Sequence, residues 1–153
     1  MGEWFVERVN LTSGQKRAIE LPLDGHTLVL GPVGTGKSLV CCHRAAYVLD
    51  QAGGAPDTVR IFVPTDVNLA YMQAGLASLK LDPAAADTMD HWCRGIYREH
   101  ISETLPVVYL DGRVDDTKTR ESVLELLRNR SDLCGRLTHV ILDDAQEYSP
   151  TEL

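Results

Sequence analysis

The chain has 153 residues, 44% hydrophobic and 24% charged, with a formal net charge of −7. That is enough for one domain with a real core and too little for two of ordinary size. The acidic balance argues against a broad basic nucleic-acid surface, though not against a local groove, and no run approaches the ~18 apolar residues of a membrane span.

The opening MGEWFVERVNL carries Glu3 and Glu7 where a signal peptide needs an apolar region, and Val6 breaks the myristoylation pattern. The expectation is a cytoplasmic protein with no membrane partner. HTLVLG (26–31) is a short apolar, β-branched run ending in glycine and predicts a buried strand. KSLVCCHRAAYVLDQA (37–52) shows helical spacing of apolar residues, closed by Gly53-Gly54. VRIFVP (59–64) predicts a second strand stopped by Pro64, and 66–80 a helix with Leu69, Met72, Leu76 and Leu79 on one face. A short third strand is expected near 85–89, then a helix over 90–101. Residues 104–113 are ambiguous. The stretch 115–130 predicts a charged, surface-lying helix with a thin stripe at Val123, Leu126 and Leu127, and 138–144 a last strand. Such alternation implies an α/β fold with a parallel sheet covered on both faces.

GPVGTGKS fits G-x-x-x-x-G-K-[ST] at Gly31, Gly36, Lys37 and Ser38. Glycines let successive main-chain N–H groups curl inward around phosphate oxygens. The helix starting at Lys37 turns its positive end to the same anion. The whole loop, Gly31, Pro32, Val33, Gly34, Thr35, Gly36, Lys37 and Ser38, is therefore the predicted phosphate cradle. Lys37 is expected to reach the terminal phosphates of a bound nucleotide and the Ser38 hydroxyl to hold Mg²⁺. The bland alternative is a glycine-rich turn that happens to fit.

VILDD then delivers two acids to a strand end, where ligands of open parallel sheets bind. Asp143 is placed to hold Mg²⁺ through water, and Asp144 to orient or deprotonate an attacking water. The alternative is a solvated acidic turn. Cys41, Cys42 and His43 are consecutive on a predicted helix, where neighbours diverge by ~100° and cannot converge on one ion.

DDAQE resembles the DEAQD motif of superfamily-1 helicases of the UvrD/Rep type. TSGQKRAI (12–19) resembles their adenine-reading Q motif, HRAAY (43–47) is similar to the helicase-IV-like branch, RIFVPTDVNLAYMQAGLASL resembles motif Ia, and ADTMDHWCRGIYREH resembles motif Ib. The resemblance implies a P-loop NTPase of RecA-like three-layer α/β/α architecture with a mainly parallel sheet, spanning 1–153 but incomplete. Residues 104–137 stand in place of a larger insertion. It implies Gln15 on adenine, Arg44 as a nucleotide contact, and Gln146 as a γ-phosphate sensor acting with Lys37 and Asp144. Pro64, Thr65, Thr88 and Trp92 fall where motifs Ia and Ib touch single-stranded DNA. A Trp on an amphipathic helix is, however, more often core. His91 and Asp90 match a His–polar pair, with a simple helix cap by Asp90 as the alternative.

Two departures bear on activity. Asp144 stands where Glu is usual, drawing the carboxylate back by roughly 1.5 Å, and misplacement of that order costs ~10²-fold in rate. Leu39 replaces a frequent Arg. The resemblance further implies a strand lying between those that carry the phosphate loop and the acid pair. Without it a gap would open in mid-sheet, leaving main-chain groups unpaired. The implied function is the ATP/Mg²⁺-binding portion of a DNA translocase. A nucleotide switch read by RNA polymerase or another protein is the second reading, and a generic phosphate-loop ATPase the third.

Overall fold

The structure is a computed structural model that describes residues 5–51, 56–106, 108–110, 113–134 and 137–148. Its elements in chain order are α1 (Ser13–Ile19), α2 (Lys37–Gln51), β1 (Val59–Val63), α3 (Asp66–Ser78), β2 (Ala86–Thr88), α4 (Met89–His100), β3 (Val108–Leu110), β4 (Arg113–Asp115), α5 (Thr117–Asn129) and β5 (His139–Leu142). Three parallel strands form the main sheet in the order β2-β1-β5, with β1 in the centre.

The core forms where alternation along β1 puts Val59, Ile61 and Val63 on one face. They pack with Cys42, Ala45 and Val48 of α2 and with Met72 and Leu76 of α3, all buried. Phe62 points the other way and meets Trp92 of α4 edge-on, with ring centroids 5.4 Å apart. The sheet is thus covered on both faces, as the alternating pattern implies. A second cluster, Leu11, Ile19, Leu39 and Val40, fastens α1 to α2.

Ends are set locally. The Thr65 hydroxyl accepts from Asn68 N at 3.2 Å and starts α3, which stops where Lys80 takes φ +60°. There Leu81 N reaches back to Leu76 O and Lys80 N to Ala77 O, the Schellman arrangement. On α4 the cap is Thr88, which accepts from His91 N at 3.2 Å, and not Asp90. Asp90 instead pairs with Arg120 of α5, and Arg94 grips Asp116 with two donors. These crossed pairs fix α5 on α4, where Val123 is buried and Leu126 and Leu127 are half-buried.

Three expectations need correction. The helix α1 lies in a stretch given no element, although Thr12 and Gln15 form a full capping box there. The ambiguous stretch 104–113 contains β3, which pairs antiparallel with β4. Most consequential, HTLVLG is not a buried strand: residues 26–30 join no ladder, and Leu28 and Leu30 are 73% and 82% exposed. The reason is the lack of a ladder partner among the described residues. A cleft of about 930 Å³ separates this segment from β5, and both line it. Val140 on β5 is 52% exposed, and β5 is the outer strand of its sheet among the described residues. The gap lies where the resemblance places one. Among the described residues no helix is long and apolar enough to cross a membrane.

Candidate functional site

The parallel strands β1, β2 and β5 present their C-terminal ends at one edge of the sheet, the edge at which such sheets bind ligands. Asp143 follows β5 there, its N–H donating to Phe62 O at 3.0 Å. Asp143 as a residue is only 2% exposed, and the contact described at its carboxylate is a sulfur: Cys41 Sγ lies 3.7 Å from Oδ1. A buried carboxylate is costly unless charges or strong donors surround it, and a thiol is a weak donor. Asp143 therefore offers a hard oxygen ligand of the kind Mg²⁺ takes, while Ser38, whose hydroxyl was expected to share the ion, is half-buried in the first turn of α2 and is not among the residues lining the cleft.

The phosphate loop is shaped by glycine where the chain demands it. Gly34 and Gly36 have φ of +82° and +78°. A Cβ on Gly31 would meet Thr35 Oγ1 at 2.8 Å, and one on Gly36 would meet Gln15 Nε2 at 2.8 Å. Thr35 Oγ1 donates to Pro32 O at 2.8 Å, closing the curl. Lys37 Nζ donates to Gly31 O at 3.1 Å and Pro32 O at 3.3 Å, so the ammonium rests on the loop's own carbonyls. Anionic oxygens would draw it off those neutral acceptors, since they add the Coulomb attraction of an opposite charge that a carbonyl lacks. Val33 is fully open to solvent at the loop's crest.

Gln15, expected on adenine, has both ends of its amide on the main chain. Its Oε1 accepts from Thr12 N at 2.9 Å, and its Nε2 donates to Thr35 O at 3.0 Å. It braces the phosphate loop from α1. Arg44 likewise donates to the carbonyls of Ile19, Leu21 and Pro22, and its guanidinium lies over the Tyr47 ring. Burial lowers its pKa, but the group stays cationic. It ties α2 to the end of α1 while still lining the cleft.

Asp144 sits beside Asp143 in the left-handed region, φ +50° and ψ +50°, where Asp is tolerated better than most residues. Gln146 Nε2 donates to Asp144 Oδ1 at 3.3 Å. Lys37, Cys41, Asp143, Asp144 and Gln146 all line the same cleft. The adjacent thiols are held protonated. Burial, then the Asp143 charge, pushes Cys41 well above the ordinary thiol range, and the same causes push Cys42 up to about 12. Cys41, Cys42 and His43 turn to Asp143, Met72 and Val6 respectively, so they do not converge.

The residues expected at nucleic acid stand along the same strand ends. Pro64 and exposed Thr65 follow β1, and Thr88 ends β2. Thr65 and Thr88 act as helix caps, Thr88 is buried, and half-buried Trp92 rests on Phe62. His91 Nδ1 is 2.7 Å from Asp87 Oδ1, so its partner is Asp87 and not Asp90.

Two comparisons with known proteins bear on the family. "Dicer-like protein 1" of Aspergillus clavatus is 26% identical over 130 residues, which cover 78% of this chain and 8% of that protein. The chain thus spans under a tenth of that relative's length. The family described as UvrD/REP helicase N-terminal domain matches residues 11–133, from the α1 capping box through α5, stopping short of the acid pair. That match covers well over half of the 153 residues, and the chain belongs to the UvrD/REP helicase N-terminal domain family.

Proposed function

We propose that the chain is the ATP- and Mg²⁺-binding portion of a UvrD-like translocase that couples hydrolysis to movement on single-stranded DNA. The observation that carries this is one cleft holding both a phosphate loop, with Lys37 parked on its own carbonyls, and a buried, weakly partnered carboxylate, Asp143. UvrD-type helicases use ATP and Mg²⁺, and the family match supports the same cofactors here.

The roles follow from position. Main-chain N–H groups of 33–38 and the start of α2 take the β- and γ-phosphates, and Lys37 leaves Gly31 O and Pro32 O for them. Ser38 and Asp143 hold Mg²⁺, which when bound neutralises charge on the transferring phosphoryl group. Asp144 orients the attacking water, and Gln146, already bonded to Asp144, links that carboxylate to the γ-phosphate position. Gln15 engages the base by releasing Thr35 O. Pro64, Thr65, Thr88 and Trp92 form the single-stranded DNA edge, with the helices' caps giving it rigidity.

The unfilled space between 26–31 and β5 supports reading 1–153 as part of a RecA-like domain, with 104–137 as a short insertion built of β3, β4 and α5. A specific observation favours a second reading. Asp144 is short, left-handed and bonded to Gln146, which suits a turn better than a water-activating base. On that reading the chain is a nucleotide-binding switch whose state is read by RNA polymerase or another protein in the cytoplasm.

Phosphate release measured with and without single-stranded oligonucleotide separates the two, using the protein with any further helicase segments supplied. DNA-stimulated turnover that disappears in Lys37→Ala supports the motor. Nucleotide binding with no turnover, even in Asp144→Glu, supports the switch.

A further inference from the structure

We propose that Cys41 is a positioning residue for the metal-holding carboxylate: its thiol engages Asp143 Oδ1 and leaves Oδ2 for the cation. This rests on the reading of Asp143 as the magnesium carboxylate, and it adds a residue that the phosphate-loop pattern does not contain.

Three observations meet at this point. The first is direction. Lys37 and Cys41 are four apart on α2, so they share one helix face, and both line the cleft. That face looks at the end of β5, as the 3.7 Å Sγ–Oδ1 distance shows across 102 residues of chain.

The second is burial. Asp143 is 2% exposed, so water is poorly placed to hold its orientation. The contacts described at its carboxylate reduce to this single sulfur donor.

The third is contrast with the next residue. Cys42 is also buried, yet its sulfur meets only Met72, through Sδ at 3.2 Å and O at 3.9 Å, within the apolar core. One of two adjacent thiols packs, and the other addresses a carboxylate in the cleft. A carboxylate that holds a cation needs one oxygen anchored by a donor, because a freely rotating group loses affinity for the ion it is meant to hold. A protonated thiol does this without bringing a second positive charge that would repel the metal.

The test measures a fluorescent ATP analogue in Mg²⁺ and in EDTA, for the parent, Cys41→Ala and Cys41→Ser. Cys41→Ala is expected to weaken the Mg²⁺-bound form roughly tenfold, the low end for residues that support metal ligands, and to leave affinity in EDTA unchanged. Cys41→Ser, which keeps a donor, recovers most of the loss. Equal losses in Mg²⁺ and EDTA would make Cys41 a packing residue and overturn the proposal, as would no change in either.

A second readout needs no nucleotide. The infrared S–H stretch assigned to Cys41 by its loss in Cys41→Ala should shift in Asp143→Asn, and an unmoved band would mean no contact and end the proposal. A parent that binds nucleotide equally well in Mg²⁺ and EDTA removes the magnesium role of Asp143, and the positioning role goes with it. A parent that binds none at all defeats the broader reading as well.

Discussion

The runs HTLVLG and VRIFV are alike in composition, yet the structure treats them oppositely. VRIFV becomes the centre of the sheet with Ile61 fully buried, while HTLVLG joins no ladder and leaves Leu30 82% exposed. The difference lies in neighbours. β1 has β2 on one side and β5 on the other, whereas 26–30 looks across the cleft at a β5 edge that is itself unpaired among the described residues. An apolar β-branched run states that a segment can be a buried strand, and a ladder partner decides whether it is one. The closed half of the molecule therefore supplies stability, and the open half carries the cleft.

That contrast can be broken by substitution. Ile61→Ala is expected to cost about 2–5 kcal/mol in chemical denaturation, because it leaves a hole under three elements. A cost under 1 kcal/mol would mean that β1 is not the core.

Alkaline pH probes the same closed half through Cys42. Its folded-state pKa is raised to about 12 from 9.0. The unfolded thiol thus ionises first, so the contribution is whole below pH 9 and is lost as pH rises towards 12. Across that window each such thiol removes about 1.4 kcal/mol per pH unit. Cys42→Ala should flatten the fall in melting temperature between pH 9 and 10.5, and an unchanged slope would assign the lability elsewhere.

On the open side, Thr12→Ala removes the α1 capping box and should cost about 1 kcal/mol. It should also loosen Gln15 from Thr35 O, seen as faster amide exchange in the phosphate loop. The smallest effect is expected for Leu30→Ser, within about 0.5 kcal/mol, as for exposed positions generally. A larger loss would show that something covers the segment in solution.

How much was legible follows the same division. Helical spacing of apolar residues marked α2, α3 and α5, apolar runs marked β1 and β5, and α4 and β2 lie at their expected positions. The glycine-rich turn at 31–36 was legible as a turn because left-handed backbone favours glycine, and Gly34 and Gly36 have positive φ. The α1 helix has a readable start, Thr12 followed by Gln15, but that pair also suits an adenine contact, so the residue types alone do not decide between the two. The β3–β4 pair has three residues in each strand, too few for a period of two to stand out. Beyond reach were facts set by distant chain: the Cys41–Asp143 contact, the Arg44 tie to α1, and the left-handed Asp144.

The central claim is that main-chain amides, Lys37 and Asp143 grip a magnesium triphosphate in this cleft. Calorimetric titration of the folded protein with ATP in Mg²⁺ tests it most directly, repeated on Lys37→Ala. Saturable heat in the parent that is lost in the variant is the predicted result. Heat that survives the variant, or none from a parent shown to be folded, would contradict it.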